Sequence, residues 1–161
     1  GKLLHEEVTL LDFNRCGCPL IEIVTSPNFT SIDKVDRFLN ILAQSMRYAK
    51  VSDCDMSKAN LRVDVNLSID KGSEFGPRVE IKNLNSFKSI RNATIAEYRR
   101  QIRLKKKGEE ILSETRLFDV NTNTTKSMRD KEEAKDYMYM PDGNIPTVKI
   151  SNEELKNILN K

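Results

Sequence analysis

Two short stretches of this sequence carry polar groups from which a site for metal and phosphate can be built. In the first, Leu61, Val63, Val65, Leu67 and Ile69 alternate strictly with Arg62, Asp64, Asn66 and Ser68. Successive strand side chains point to opposite faces, so this spacing gathers a cation, a carboxylate, an amide and a hydroxyl in one row. In the second, RVEIKNL at 78–84, Val79 and Ile81 alternate with Arg78, Glu80 and Lys82. If the two strands pair as a hairpin, Asp64 and Glu80 share the polar face. Neighbouring carboxylates repel unless a cation lies between them. Arg62 or Lys82 can supply that cation. So can a divalent ion, because Mg²⁺ takes one or two carboxylates together with substrate phosphates. A plain solvated strand face is the bland alternative, and the alternation alone does not choose between them.

The elements that position these residues are readable in outline. Short strands are expected at 8–13 and 19–25, on either side of a turn at Asn14–Gly17. Thr30 and Asp33 resemble a capping box, and Val35, Phe38, Leu39, Leu42 and Met46 follow at helical spacing, which predicts a helix over 31–49. After the 61–69 and 78–84 strands, Asn85-Ser86 can cap a second helix reaching Lys107. Its inner stripe is expected to be Phe87, Ile90, Thr94, Tyr98 and Ile102, and Gly108 is expected to close it. Arg99, Arg100, Arg103 and Lys105–Lys107 crowd its end, either as cations complementing the helix dipole or as contacts for RNA phosphates. A hairpin at 111–120 and 124–129 turns at Asn121–Asn123. Asp136–Pro141 reads as extended, with Tyr137 and Tyr139 on one face, for ring packing or for stacking on a base. The turn at Asp142-Gly143 precedes another strand-like segment, and a last helix begins near Asn152. The expected fold class is α+β, a mostly antiparallel sheet with two principal amphipathic helices.

Composition sets the limits. The chain has 161 residues, 38% apolar and 32% charged, enough for one core and too well patterned for disorder. A net charge of +3 is too small to mark a generic nucleic-acid binder, and no apolar run approaches a membrane span. Cys16, Cys18 and Cys54 are odd in number and lack the usual zinc spacings, so reduced thiols are the simplest reading. Residue 1 is Gly and no signal-like segment follows it, which suggests an internal piece of a longer protein.

Five stretches, in order, resemble the central part of the GatB component of the tRNA-dependent amidotransferases, the bacterial and organellar GatCAB enzymes. They are DFNRCGCPLIEIVTSP (12–27), LRVDVNLSI (61–69), EIKNLNSF (80–87), ETRLFD (114–119) and SMRDKEEAKDYMYMP (127–141). The resemblance implies that residues 1–150 form the central part of a catalytic cradle domain and that 151–161 start a following helical segment. It implies a function as well: Mg-ATP phosphorylates the side-chain carboxylate of Glu or Asp on a mischarged tRNA, and ammonia displaces the phosphate. The ammonia comes from a partner amidase, GatA, with the small GatC component completing the complex. Bacterial cytoplasm is the expected location, or a mitochondrial or plastid matrix, with no membrane involved. Glu-tRNA and Asp-tRNA both stay open as substrates, and a non-catalytic module that holds the tRNA acceptor end, or a scaffold, is the competing class.

By the same resemblance Glu22 matches a Mg²⁺ ligand, and Asp64 and Glu80 match acidic positions near a second cation. Arg62 and Lys82 are the candidates for the transferring phosphoryl group. Asn66, Asn83, Asn85 and Ser86 are candidates for ribose, the aminoacyl group or a metal-bound water. Arg15 lies in the NRxG turn, where bracing that turn is an equally good reading. Thr115, Arg116 and Arg129 are expected to line the cavity, with Tyr137 and Tyr139 at the tRNA terminus. Two local departures stand out: Asp70, where the family generally has a basic residue, and DGNIP at 142–146 in place of a more proline-rich, acidic turn. Acidic and His motifs that the family carries further upstream do not occur in these 161 residues, nor do the family's helical and tail domains.

Overall fold

A 21-residue helix follows the Val79–Lys82 strand, and this one fact decides the sheet. A computed structural model describes residues 2–4, 9–11, 13–14, 16–69, 75–128, 143–144 and 146–160. In chain order the elements are β1 (Lys2–Leu4), β2 (Thr9–Leu11), α1 (Ile32–Tyr48), β3 (Val65–Leu67), β4 (Val79–Lys82), α2 (Phe87–Lys107), β5 (Glu114–Asp119), β6 (Thr124–Ser127) and α3 (Asn152–Leu159). They fall into two units, Gly1–Ser127 and Met128–Lys161.

The main sheet has the order β3-β4-β5-β6. β3 pairs antiparallel with β4, Asn66 opposite Glu80, and β5 pairs antiparallel with β6. β4 and β5 run parallel, with Glu80 opposite Thr115. The sheet is therefore mixed within an α+β fold, a refinement of the mostly antiparallel expectation. The reason is the connection: a helix-length crossover returns the chain to the starting end of the sheet, whereas an antiparallel neighbour needs only a tight turn.

α2 packs on β3 and β6, and α1 packs on α2. The core between them holds Leu39, Ile81, Leu84, Ile90, Ala93 and Phe118, with Val35, Phe38, Val63 and Val65 packed against it. Ile81 and Ile90 are fully buried; each such side chain contributes roughly 1.5–3 kcal/mol. Arg91 on α2 fastens α1 through ion pairs to Asp33, at 3.0 Å, and to Asp36.

Helix ends follow local chemistry. The Ser31 hydroxyl, not Thr30, caps α1 by accepting the Lys34 N–H, while Thr30 takes the Lys34 ammonium. Ser86 caps α2, and Gly108 ends it at φ +72°, a left-handed conformation that suits glycine. A full capping box does occur, at Ser151 and Glu154 of α3. Gly76 is tight for another reason. Its N–H bonds to the Ile69 carbonyl, and a Cβ there would meet that oxygen at 2.5 Å.

Several expected elements differ. The 61–69 strand is paired only over Val65–Leu67, although alternate burial runs from Leu61 to Leu67. β2 pairs with β1 rather than with 19–25, and 19–25 is exposed without regular structure. It has no partner strand among the described residues, and Pro19 lacks an N–H donor. No strand forms at 146–150. The α2 inner stripe is also rotated: Tyr98 is half exposed, while Glu97 and Gln101 are fully buried. The expected extended segment 136–141 lies outside the described residues.

Candidate active site on the polar face of the sheet

The β3–β4 register sets Asp64, Asn66, Glu80 and Lys82 on the face of the sheet turned away from α2. Val65, Val79 and Ile81 occupy the other face and fix it against the core, so the polar row has no freedom to flip. On that face the Lys82 ammonium lies 3.4 Å from Glu80 and 3.9 Å from Asp64. One cation thus bridges two carboxylates, each of them partly exposed. From β5, Thr115 donates its hydroxyl to Glu80 Oε2 at 3.0 Å. Glu80 is therefore held from two sides, and Asp64 from one.

The remaining candidates fall in different places. Arg62 and Asn66 are exposed on the same alternation as Asp64. Asn83 adopts φ +67° just past β4 and donates to the Phe118 carbonyl at 3.1 Å, tying the β4 end to β5. Asn85 is exposed, and Ser86 spends its hydroxyl on the Ser89 N–H at 3.0 Å. Glu22 lies in the exposed 16–30 segment and shares no ion pair or hydrogen bond with Asp64 or Glu80 among the described residues. No group of three or more metal-ligand side chains forms among the described residues. Arg15, Arg129, Tyr137 and Tyr139 lie outside the described residues.

Arg116 is placed on the side opposite to the expectation that it lines the cavity. It faces α2, bonded to the Thr125 hydroxyl at 2.9 Å, the Thr125 carbonyl at 2.7 Å and Glu114 at 2.7 Å. The physical reason is the β5 alternation, which sends Glu114, Arg116 and Phe118 inward and Thr115 and Leu117 outward.

There Arg116 joins a charged network that sequence reasoning missed. Glu97, fully buried, accepts from Arg100 at 2.8 Å, Gln101 at 2.9 Å and Thr125 at 2.7 Å, with the Arg116 guanidinium at 3.4 Å. Arg100 also reaches Glu114 at 3.2 Å. Two carboxylates and two guanidiniums balance, as buried charges require. Burial opposes the Arg100 cation, but Glu97 and Glu114 raise its pKa above the ordinary value. Burial pushes the Glu114 carboxyl upward, yet hydrogen bonds from Ser127 and Arg116 and the charges of Arg116 and Arg100 bring it below its usual range. The signal was present in the sequence: Glu97 and Gln101 are in helical phase with Ile90, Ala93 and Thr94. Gln101 Oε1 is the one buried side-chain polar atom without a partner among the described residues.

An α+β domain is thus outlined, with an acidic-basic cluster on one sheet face and a salt-bridged helix on the other. A family model described as the GatB/GatE catalytic domain matches residues 1–156. The chain belongs to that family. It is 46% identical over 98% of its length to the B subunit of an aspartyl/glutamyl-tRNA(Asn/Gln) amidotransferase from Lachnoclostridium phytofermentans. Proteins of the same name in Caldicellulosiruptor bescii and Thermosipho melanesiensis are 48% and 45% identical over 98% and 100% of this chain. The chain spans 34–36% of the length of these relatives.

Proposed function

We propose that this chain carries the phosphorylating site of a tRNA-dependent amidotransferase, acting on Glu-tRNA(Gln), Asp-tRNA(Asn) or both. The observation that carries the reading is the convergence of Asp64 and Glu80 on Lys82, within a family whose named relatives act on these tRNAs. A carboxylate is a poor electrophile. Its oxygen attacks the γ-phosphorus of ATP, ADP leaves, and the acyl phosphate that results is open to ammonia, which expels phosphate and leaves the amide.

Phosphoryl transfer is catalysed chiefly by alignment and by cations placed against developing negative charge. Lys82 supplies such a cation, and Arg62 supplies a second when substrate brings phosphate to the exposed face. The donor set fits magnesium: two carboxylates meet at a position now held by an ammonium, and Mg²⁺ takes one or two protein carboxylates plus phosphate oxygens. Asp64 and Glu80 would hold it, with Glu22 a candidate for a separate ion. When bound, Mg²⁺ neutralises the phosphate oxygens. Thr115 orients Glu80, and Asn66 offers an amide to ribose or the aminoacyl group on the same face. Arg116, Asn83 and Ser86 act as braces for β5, the β4 end and α2.

Ammonia is supplied by the GatA amidase, with the small GatC component in the same assembly, and the reaction takes place in bacterial cytoplasm. No helix among the described residues is long and apolar enough to cross a membrane. The test is amide formation on mischarged tRNA by the full-length protein assembled with its partners. The reading requires dependence on ATP and Mg²⁺; amidation without ATP, or tRNA binding with no amidation, overturns it.

A further inference from the structure

The C-terminal half of α2 carries more positive charge than the described residues neutralise. Lys105, Lys106 and Lys107 occupy the last turn, where cations complement the carbonyl end of a helix. Arg100 is turned onto Glu97 and Glu114, and Lys107 reaches Glu109 at 3.4 Å. Arg99, Arg103 and Lys106 are exposed, and no carboxylate among the described residues lies within ion-pair distance of them. Spaced by four and three residues, they share one helical face, where like charges repel. Arg99 and Arg103 also lie upstream of the last turn, beyond the reach of the helix-end effect. Nothing among the described residues explains this stripe.

Two grooves flank it. One, of about 380 Å³, is lined by Tyr98, Ile102, Lys106 and Lys107. The other, of about 330 Å³, runs between α2 and the β5–β6 turn, past Asn123 and Thr124. Arg99 and Arg103 line both.

We propose that this face docks the phosphate backbone of the tRNA, away from the Asp64–Lys82–Glu80 cluster; the identity of the RNA rests on the amidotransferase reading. Charge complementarity selects a polyanion. Guanidinium forks match phosphate and carboxylate oxygens alike, so RNA is favoured over an acidic protein face by the groups that flank the cations. The Asn123 side chain offers an amide for sugar and phosphate contacts at the groove edge, and the Tyr98 ring, 49% exposed, offers a stacking surface beside the cations. The contact is to backbone, so it adds affinity without reading sequence.

The test compares Arg99→Gln/Arg103→Gln/Lys106→Gln with a control of equal charge change, Arg37→Gln/Lys50→Gln/Lys88→Gln, whose side chains are exposed elsewhere in the same unit. Both are made in the full-length protein assembled with its partners, and binding of unacylated tRNA is measured across a salt series. The stripe variant is expected to bind about tenfold or more weakly, with a log K versus log salt slope shallower by about two to three. Its melting temperature should be unchanged or slightly higher, since the lost charges repel one another. The control should keep affinity and slope. A stripe variant that matches the wild type, or a control that weakens equally, overturns the docking surface and leaves the amidotransferase reading intact. Loss of a partner protein from the assembly with tRNA binding unchanged overturns it too, and assigns the face to protein. An enzyme that amidates nothing, yet whose tRNA binding follows the stripe, sinks the catalytic reading alone.

Discussion

Thr115 donates its hydroxyl to Glu80 Oε2 at 3.0 Å across the parallel pairing of β4 with β5. This bond joins two distant sequence segments, 80–87 and 114–119, at one carboxylate. Thr115→Val keeps the shape and removes the donor. Because the group is partly exposed, stability should fall by no more than about 1 kcal/mol. Amidation kcat should drop more than KM for ATP rises, and Thr115→Ser should restore it. Steady-state kinetics of the assembled enzyme, beside urea unfolding, separate the two effects.

Glu97 is the hub of the inner network, fully buried between Arg100, Gln101, Arg116 and Thr125. Glu97→Ala strands two guanidiniums, and removing one partner of a buried ion pair costs about 3–5 kcal/mol. The full-length protein should show that loss as a lower urea midpoint. A loss below about 1 kcal/mol would mean that water satisfies the site.

Ser86 separates a cap from a ligand. Its hydroxyl accepts the Ser89 N–H at 3.0 Å at the start of α2. Ser86→Ala should destabilise by about 1 kcal/mol, and Ser86→Asp should restore stability because Asp also caps. An unchanged melting temperature with a raised KM for ATP would instead make it a substrate contact.

Acid should loosen the β5–β6 hairpin. Hydrogen bonds from Lys126 and the Thr122 and Asn121 N–H groups lower the Asp119 carboxyl from 3.8 to about 2. Glu114 also lies below its usual 4.5, burial opposing and Ser127, Arg116 and Arg100 prevailing. Both folded values are depressed, so their stabilisation is complete above the ordinary values and is lost as pH falls toward the folded ones. Unfolding midpoints should decline from about pH 4.5 toward pH 2, less steeply in Asp119→Asn. The same decline in that variant would remove Asp119 from the account.

The polar row was legible because the alternation from Leu61 to Leu67 matches alternate burial on a sheet with one packed face. The helix bounds were legible to within a residue or two because polar caps and a terminal glycine mark the ends, whereas the buried face of α2 was not, since it carries Glu97 and Gln101 in place of apolar groups. The parallel β4–β5 pairing was hidden, since strand order is set by how α2 packs and not by either strand's residues. Arg116 misled for a related reason: in ETRLFD the inward face carries Glu and Arg while Leu117 faces out, the reverse of simple hydrophobic alternation. Only the partner charges on α2 make that reversal stable. Glu22 is a metal candidate by family resemblance alone, and among the described residues it shares no ion pair or hydrogen bond with Asp64 or Glu80.

The central claim is that Asp64, Glu80 and Lys82 form one phosphoryl-transfer site. It is tested most directly by ADP formation that depends on mischarged tRNA, in the full-length protein assembled with its amidase partner. Asp64→Asn, Glu80→Gln and Lys82→Met should each lower that rate by about 100-fold or more, as expected when one preorganised charge is removed, while glutamine hydrolysis by the partner persists. ADP formation at the wild-type rate in Asp64→Asn or Glu80→Gln would contradict the account.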